Sequence, residues 1–162
     1  MGSRRWVTAG TVGAVAALTI LAAGPASATA AGNVAAGTPS WSSSILKASG
    51  SFTNKVTTGS AMYSYTLQLV RTNSATKPTC NTGCATITTS AGVVTQTQLN
   101  SVTSSLSVAK STTITVPSLS FKCPIPSPTL TTNRYYWSWL KVADASGNVV
   151  TSISSYIAGK YC

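Results

Sequence analysis

Histidine and glutamate are absent from this chain of 162 residues, and Asp144 is its one carboxylate side chain. General acid–base catalysis needs a group that titrates near the working pH and is held against a partner, and this inventory offers almost none. Paired-carboxylate glycoside hydrolysis is excluded, as are Ser-His-Asp and Cys-His nucleophiles. Metal-dependent hydrolysis lacks its ligands. One nucleophilic arrangement survives on paper, because Ser44-x-x-Lys47, Ser74-x-x-Lys77, Ser107-x-x-Lys110 and Ser138-x-x-Lys141 all match S-x-x-K. That pairing works on a helix, where residues i and i+3 share a face; on a strand they point to opposite faces. Three of the four lie in strand or loop stretches, and no S-D-N or K-T-G companion accompanies them. The expectation is a non-catalytic protein without cofactor or metal.

Acidic residues are scarce enough to set the charge as well. The formal net charge is +10, so salt bridges cannot be a structural theme, and self-repulsion is either tolerated or neutralised by an anionic partner. The cations from Lys47 to Lys160 are spread evenly along the chain. A nucleic-acid binder clusters Lys and Arg on one element, so nucleic acid is not the expected partner.

No apolar run is long enough to span a bilayer. The longest, Thr11 to Ala23, follows Arg4 and Arg5 and precedes Gly24-Pro25 and Ala26-Ser27-Ala28. A positive start, a short apolar run and a small-x-small site are the signature of a bacterial export signal. Cleavage is expected after Ala28, with Ala30 as the alternative, and Ser3-Arg4-Arg5-Trp6-Val7 leaves both the general and the twin-arginine route open. The expected organisation is a signal peptide over residues 1–28, a flexible leader over 29–40 and one domain over 41–162, acting outside the cell. The leader is expected because TAAGNVAAGTPS is small, polar and aperiodic.

Helix signals are missing after residue 28, whereas Thr, Val, Ile and Tyr recur in short runs. In Met62 to Thr72, Tyr63, Tyr65, Leu67 and Leu69 share one face, with Ser64, Thr66 and Gln68 on the other. Similar alternation recurs in Val102, Leu106 and Val108, in Ile114 and Val116, in Leu119 and Phe121, and in Val149, Ile153 and Ile157. Turn signals at Ser49-Gly50-Ser51, Thr58-Gly59-Ser60, Asn81-Thr82-Gly83, Ala91-Gly92 and Asp144–Asn148 separate the runs. The pattern predicts an all-β, immunoglobulin-like antiparallel sandwich of about seven to nine short strands. Asp144 opens its loop and is expected to accept a main-chain N–H two residues on, with Gly147 supplying positive φ.

Four cysteines in an exported chain imply two disulfides, with three possible connectivities. Cys80 and Cys84 enclose a tight turn, and Cys162 could tie the final strand to Cys123; the expected bridges are Cys80–Cys84 and Cys123–Cys162. A Cys₄ zinc site lacks paired C-x-x-C knuckles and would sit in an oxidising compartment.

Two stretches are candidates for binding. From Arg134 to Ala143, Tyr135, Trp137, Trp139 and Lys141 share one face, with Tyr136, Ser138, Leu140 and Val142 on the other. The first set forms either a solvent-facing ladder on which rings could stack or the aromatic heart of the core. A domain with only two Phe needs its Trp for volume, which favours the core. The second stretch is Pro124-Ile125-Pro126-Ser127-Pro128, a stiff extended segment beside Cys123, suited to present an inhibitory loop. The expected function is a secreted binding module acting at or beyond the cell surface on a cell-wall or extracellular ligand, anionic or saccharide, with an extracellular protein the other partner left open. An inhibitor of an extracellular enzyme is the alternative, and a cationic toxin or antimicrobial factor the third.

Overall fold

The computed structural model describes residues 31–123, 132–159 and Cys162. The signal segment with Ala28 and the Pro124–Pro128 stretch lie outside the described residues. Nine strands run through the described residues: β1 Gly32–Ser42, β2 Ile45–Thr53, β3 Ser60–Thr72, β4 Ile87–Thr88, β5 Val94–Ala109, β6 Thr113–Lys122, β7 Arg134–Asp144, β8 Val149–Ile153 and β9 Ile157–Gly159. A three-stranded sheet in the order β1-β2-β6 faces a larger sheet in the order β4-β5-β3-β7-β8, with β9 also paired to β7. All pairings are antiparallel. This is the expected antiparallel sandwich, and both expected disulfides are formed.

The alternation in β3 does what its period implies: Tyr63, Tyr65, Leu67 and Leu69 are buried in the space between the sheets. Leu46, Ala48 and Phe52 of β2, Val116 and Leu119 of β6, and Tyr136, Leu140 and Val142 of β7 fill the rest. Phe52 and Tyr63 meet edge to face at 5.2 Å, an arrangement that favours the ring quadrupoles. Asn54 is fully buried at one end of this core and is saturated with hydrogen bonds. Its Nδ2 donates to Val108 O (2.7 Å), while its Oδ1 accepts from Val56 N and the Tyr63 hydroxyl, each at 2.9 Å. A polar side chain in that position is tolerated only because every group finds a partner.

Four sequence expectations are corrected. Most of the segment expected as a mobile leader is β1, paired with β2 from Gly32↔Thr53 to Ser42↔Ile45. Its small residues show no period because main-chain pairing, rather than side-chain burial, holds it, and two register shifts absorb the mismatch. Ser49-Gly50-Ser51 is no turn but lies inside β2. There a Cβ on Gly50 would lie 2.8 Å from Leu140 Cδ2 and 3.1 Å from Ala35 O, so the glycine marks close approach between the sheets. Ile114, Val116, Leu119 and Phe121 belong to one strand, β6. The run from Val149 to Ile157, in contrast, is broken into β8 and β9 at Ser154. Ser154 N donates to Ser138 O (3.0 Å), and its hydroxyl bonds Ser155 O (2.6 Å). The β1–β2 hairpin turns on Ser43 and Ser44, at φ 48° and 65°, which makes the Ser44-x-x-Lys47 motif a turn followed by a strand.

Candidate functional site

The outer face of the larger sheet is where the aromatic strand shows itself. Residues paired across an antiparallel ladder share a face, so Thr72, Val70, Gln68 and Thr66 of β3 stand beside Tyr135, Trp137, Trp139 and Lys141 of β7. Trp137 and Trp139 are buried, at 2% and 1% exposure, yet they do not lie between the sheets. They form a second core with Val70, Cys84 and the partly buried Cys80, Tyr135 and Ile153. The aromatic heart expected inside the sandwich is therefore a separate cluster on its outside. Its cover is the loop carrying the Cys80–Cys84 bridge.

That loop is held by polar side chains rising from the sheet. Gln68 Oε1 accepts from Cys84 N (2.6 Å), and Lys141 Nζ donates to Thr82 O (3.2 Å). Gln96 accepts from Thr79 N (2.8 Å) and donates to Thr79 O (3.1 Å) and Ala85 O (2.7 Å). The bridge itself closes Cα atoms 4.2 Å apart. Lys141, expected on a binding ladder, instead fastens the cover, and Trp139 lies under it. The face opposite them explains the fate of Ser138-x-x-Lys141: Ser138 is fully buried on the inner side while Lys141 reaches outward.

Beyond the edge of the cover an open cleft of about 480 Å³ is lined by Trp137, Ile153, Ser154, Ser155 and Tyr156, together with Ala75 and Lys77. Tyr156 is 42% exposed. Its ring packs against Trp137 at 5.0 Å, tilted by 58°, and against Tyr135 at 5.1 Å, nearly perpendicular at 84°. Trp137 Nε1 donates to Thr72 Oγ1 (2.9 Å), which fixes the indole in the sheet. A smaller hollow of about 290 Å³ is lined by Lys77 as well, with Thr72, Thr79, Thr95 and Gln96 among others. Lys77 is thus the cation shared by two neighbouring depressions. Of the expected ladder, Tyr135 and Trp137 support this cleft from beneath, and Trp139 and Lys141 belong to the cover. Sequence reasoning missed Tyr156 and Lys77. The Ser154-Ser155 pair just before Tyr156 was the available signal, since a break there turns the following ring out of the ladder.

Asp144 performs turn chemistry. Its Oδ1 accepts from Ser146 N (2.8 Å) and Asn148 N (3.0 Å), its Oδ2 accepts from Asn148 Nδ2 (2.7 Å), and Gly147 sits at φ 84°. Burial pushes its pKa up, but the hydrogen bonds from Asn148, Ser146 and Gly147 outweigh it and hold the carboxyl below its ordinary value. A depressed folded-state pKa contributes stability that is present above the unfolded value, about 3.9, and is lost as pH falls through the folded one. Melting temperature is therefore expected to drop as pH falls below about 4. Asp144→Ala should lower it at neutral pH and flatten that acid limb, as thermal melts between neutral and strongly acidic pH would reveal. Asp144→Asn keeps the two main-chain acceptor contacts but loses the charge and the acceptor facing Asn148 Nδ2, so at neutral pH it should melt between Asp144→Ala and wild type.

At the opposite end of the sandwich, Arg71 reaches Cys162 O with Nη1 (2.8 Å) and Thr97 Oγ1 with Nη2 (3.1 Å). Burial lowers its pKa and nearby Arg134 adds to the lowering, against the opposing pull of Tyr136. The Tyr136 hydroxyl also accepts from Cys162 N (3.0 Å), so the second disulfide is braced on both sides.

The sequence matches no protein-family model and no curated protein. Among solved structures it is similar to the sporulation control protein Spo0M from Bacillus subtilis, at 10% identity and a TM-score of 0.39. The match covers 70% of this chain and 41% of that one.

Proposed function

We propose that this protein is an exported, non-catalytic binding module that takes a segment of an extracellular polymer, saccharide or anionic, in the cleft between Tyr156 and Lys77. The observation that carries this reading is the exposed Tyr156 ring, braced by Trp137 and Tyr135 in an open cleft whose lining also includes Lys77. A ring already immobilised by two others offers a stacking surface at little further cost in side-chain entropy. Export rests on the Arg4–Ala28 segment, and the lack of catalytic chemistry on the residue inventory.

Tyr156→Ala and Lys77→Ala separate the two contributions. Titration of the protein with purified cell-wall polysaccharide and with teichoic acid, followed by calorimetry, is the measurement. Loss of a stacking ring should weaken binding roughly ten- to a hundredfold with little change in melting temperature, because Tyr156 is 42% exposed. Lys77→Ala should mainly reduce the salt dependence if the ligand is anionic. Unchanged affinity in both variants would sink the assignment of this cleft.

A further inference from the structure

The larger sheet ends on one side in an edge that, among the described residues, is covered only near its start, by β4 and by the hydrogen bond from Asn100 Nδ2 to Ser120 O of β6 (2.8 Å). Its outermost long strand is β5, and β4 covers it only at Val94 and Gln96. Main-chain groups alternate sides along a strand. Ser138 trades hydrogen bonds with Ser154 on the β8 side, so Trp139 and Lys141 face β3, where they meet Gln68 and Thr66. Gln68 and Thr66 therefore turn their main-chain groups away from β5, and their β5 partners Ser101 and Thr103 point to the open edge. The same parity carries to Ser105 and Ser107. Asn100 Oδ1 takes the Ser101 N–H (2.9 Å), which leaves the N–H and C=O of Thr103, Ser105 and Ser107 as a row unclaimed among the described residues.

Natural sheets blunt such edges with charge, proline, bulges or brevity. The neighbouring edge strand β6 carries Pro117 and Lys122. β8 is short, and β1 lies against it, with Ala36 N donating to Ser152 Oγ (3.1 Å). Across Ser101–Ala109, β5 has no charge and no proline, and its two irregularities, opposite Leu69/Val70 of β3 and Ile87/Thr88 of β4, both lie before this stretch. Its side chains alternate between exposed hydroxyls at Ser101, Thr103, Ser105 and Ser107 and the apolar Val102, Leu106 and Val108, of which the first two remain half-exposed.

We infer that this edge joins a second copy of the chain, β5 against β5, antiparallel about a two-fold axis at Ser105. In that register Thr103 meets Ser107 of the second copy, hydroxyl row meets hydroxyl row, and the half-exposed Val102 and Leu106 are covered. Every contact is repeated by the two-fold, as an isologous interface requires. The strong positive charge does not oppose it. The cation next along the strand is Lys110, five residues from the axis, so the two copies of Lys110 stand about 34 Å apart at 3.4 Å per residue. That is several times the screening length of about 8 Å at physiological salt. An acidic peptide, by contrast, finds no cation within the row to select it.

Sedimentation velocity of the full protein across about a hundredfold range of concentration tests this by mass action. Wild type is expected to shift from monomer to dimer. Ser105→Pro removes the central edge N–H without touching the β3 ladder, and Ser105→Lys places like charges opposite each other on the axis. Both should remain monomeric with melting temperature near wild type. An equimolar mixture of Ser105→Lys and Ser105→Asp proteins should dimerise again. A monomeric wild type at every concentration would overturn the inference, and so would a dimer that survives Ser105→Lys.

Discussion

Trp139→Ala is expected to destabilise the protein by about 3–5 kcal/mol, lowering the melting temperature by roughly 12–20 °C. Trp139 is the largest fully buried side chain and sits beneath the disulfide loop in a cluster of few members. Truncation leaves a hole bounded below by the sheet and above by a loop that cannot collapse freely. Gln68, Gln96 and Lys141 pin that loop, and the Cys80–Cys84 bridge stiffens it. Thermal melts give the magnitude. Wild-type tryptophan emission, read on a Trp41→Phe background, should be blue-shifted and poorly quenched by iodide. A Trp139→Ala protein melting within a few degrees of wild type would mean that the loop settles onto the sheet, and that this second core contributes little.

Removing the Cys123–Cys162 bridge should cost about as much. The two residues are 39 apart in sequence, and releasing a loop of that length from the unfolded chain corresponds to about 4 kcal/mol. The same reasoning gives about 2 kcal/mol for the four-residue separation of Cys80 and Cys84. Paired alanine substitutions at each bridge, melted under identical conditions, should therefore rank with Cys123/Cys162 the more damaging. The first pair also anchors Cys162, whose main chain ties Arg71 to Tyr136. A reversed ranking would show that the loop bridge acts chiefly by holding the cover over Trp137 and Trp139, through the folded state instead of the unfolded chain.

These two expectations depend on different kinds of information. The bridges were legible in the sequence because a tight turn between Cys80 and Cys84 is a local matter, and elimination then paired the other two. The turn at Asp144 was legible for the same reason: its carboxylate, Gly147 and Asn148 interact within five residues. The inward face of β3 was legible because a period of two survives wherever one face is buried and the other is not. β7 was readable as central, with apolar groups on both faces, but not which core each face joins. Tyr136, Leu140 and Val142 go between the sheets, whereas Trp137 and Trp139 go under a loop from a distant part of the chain.

The sequence by itself determined the all-β class, the Cys80–Cys84 bridge, the Asp144 turn and the absence of His and Glu, all of which follow from composition or from contacts between near neighbours. Only the tertiary structure decided that residues 32–42 form a strand, that Gly50 lies mid-strand, that Lys141 fastens a cover and that Tyr156 and Lys77 line one cleft. It alone showed that, among the described residues, no strand pairs with the outer side of β5 beyond Gln96. Each of these depends on what a distant segment places opposite a residue, and a partner strand's hydrogen bonds leave no period in the sequence that receives them.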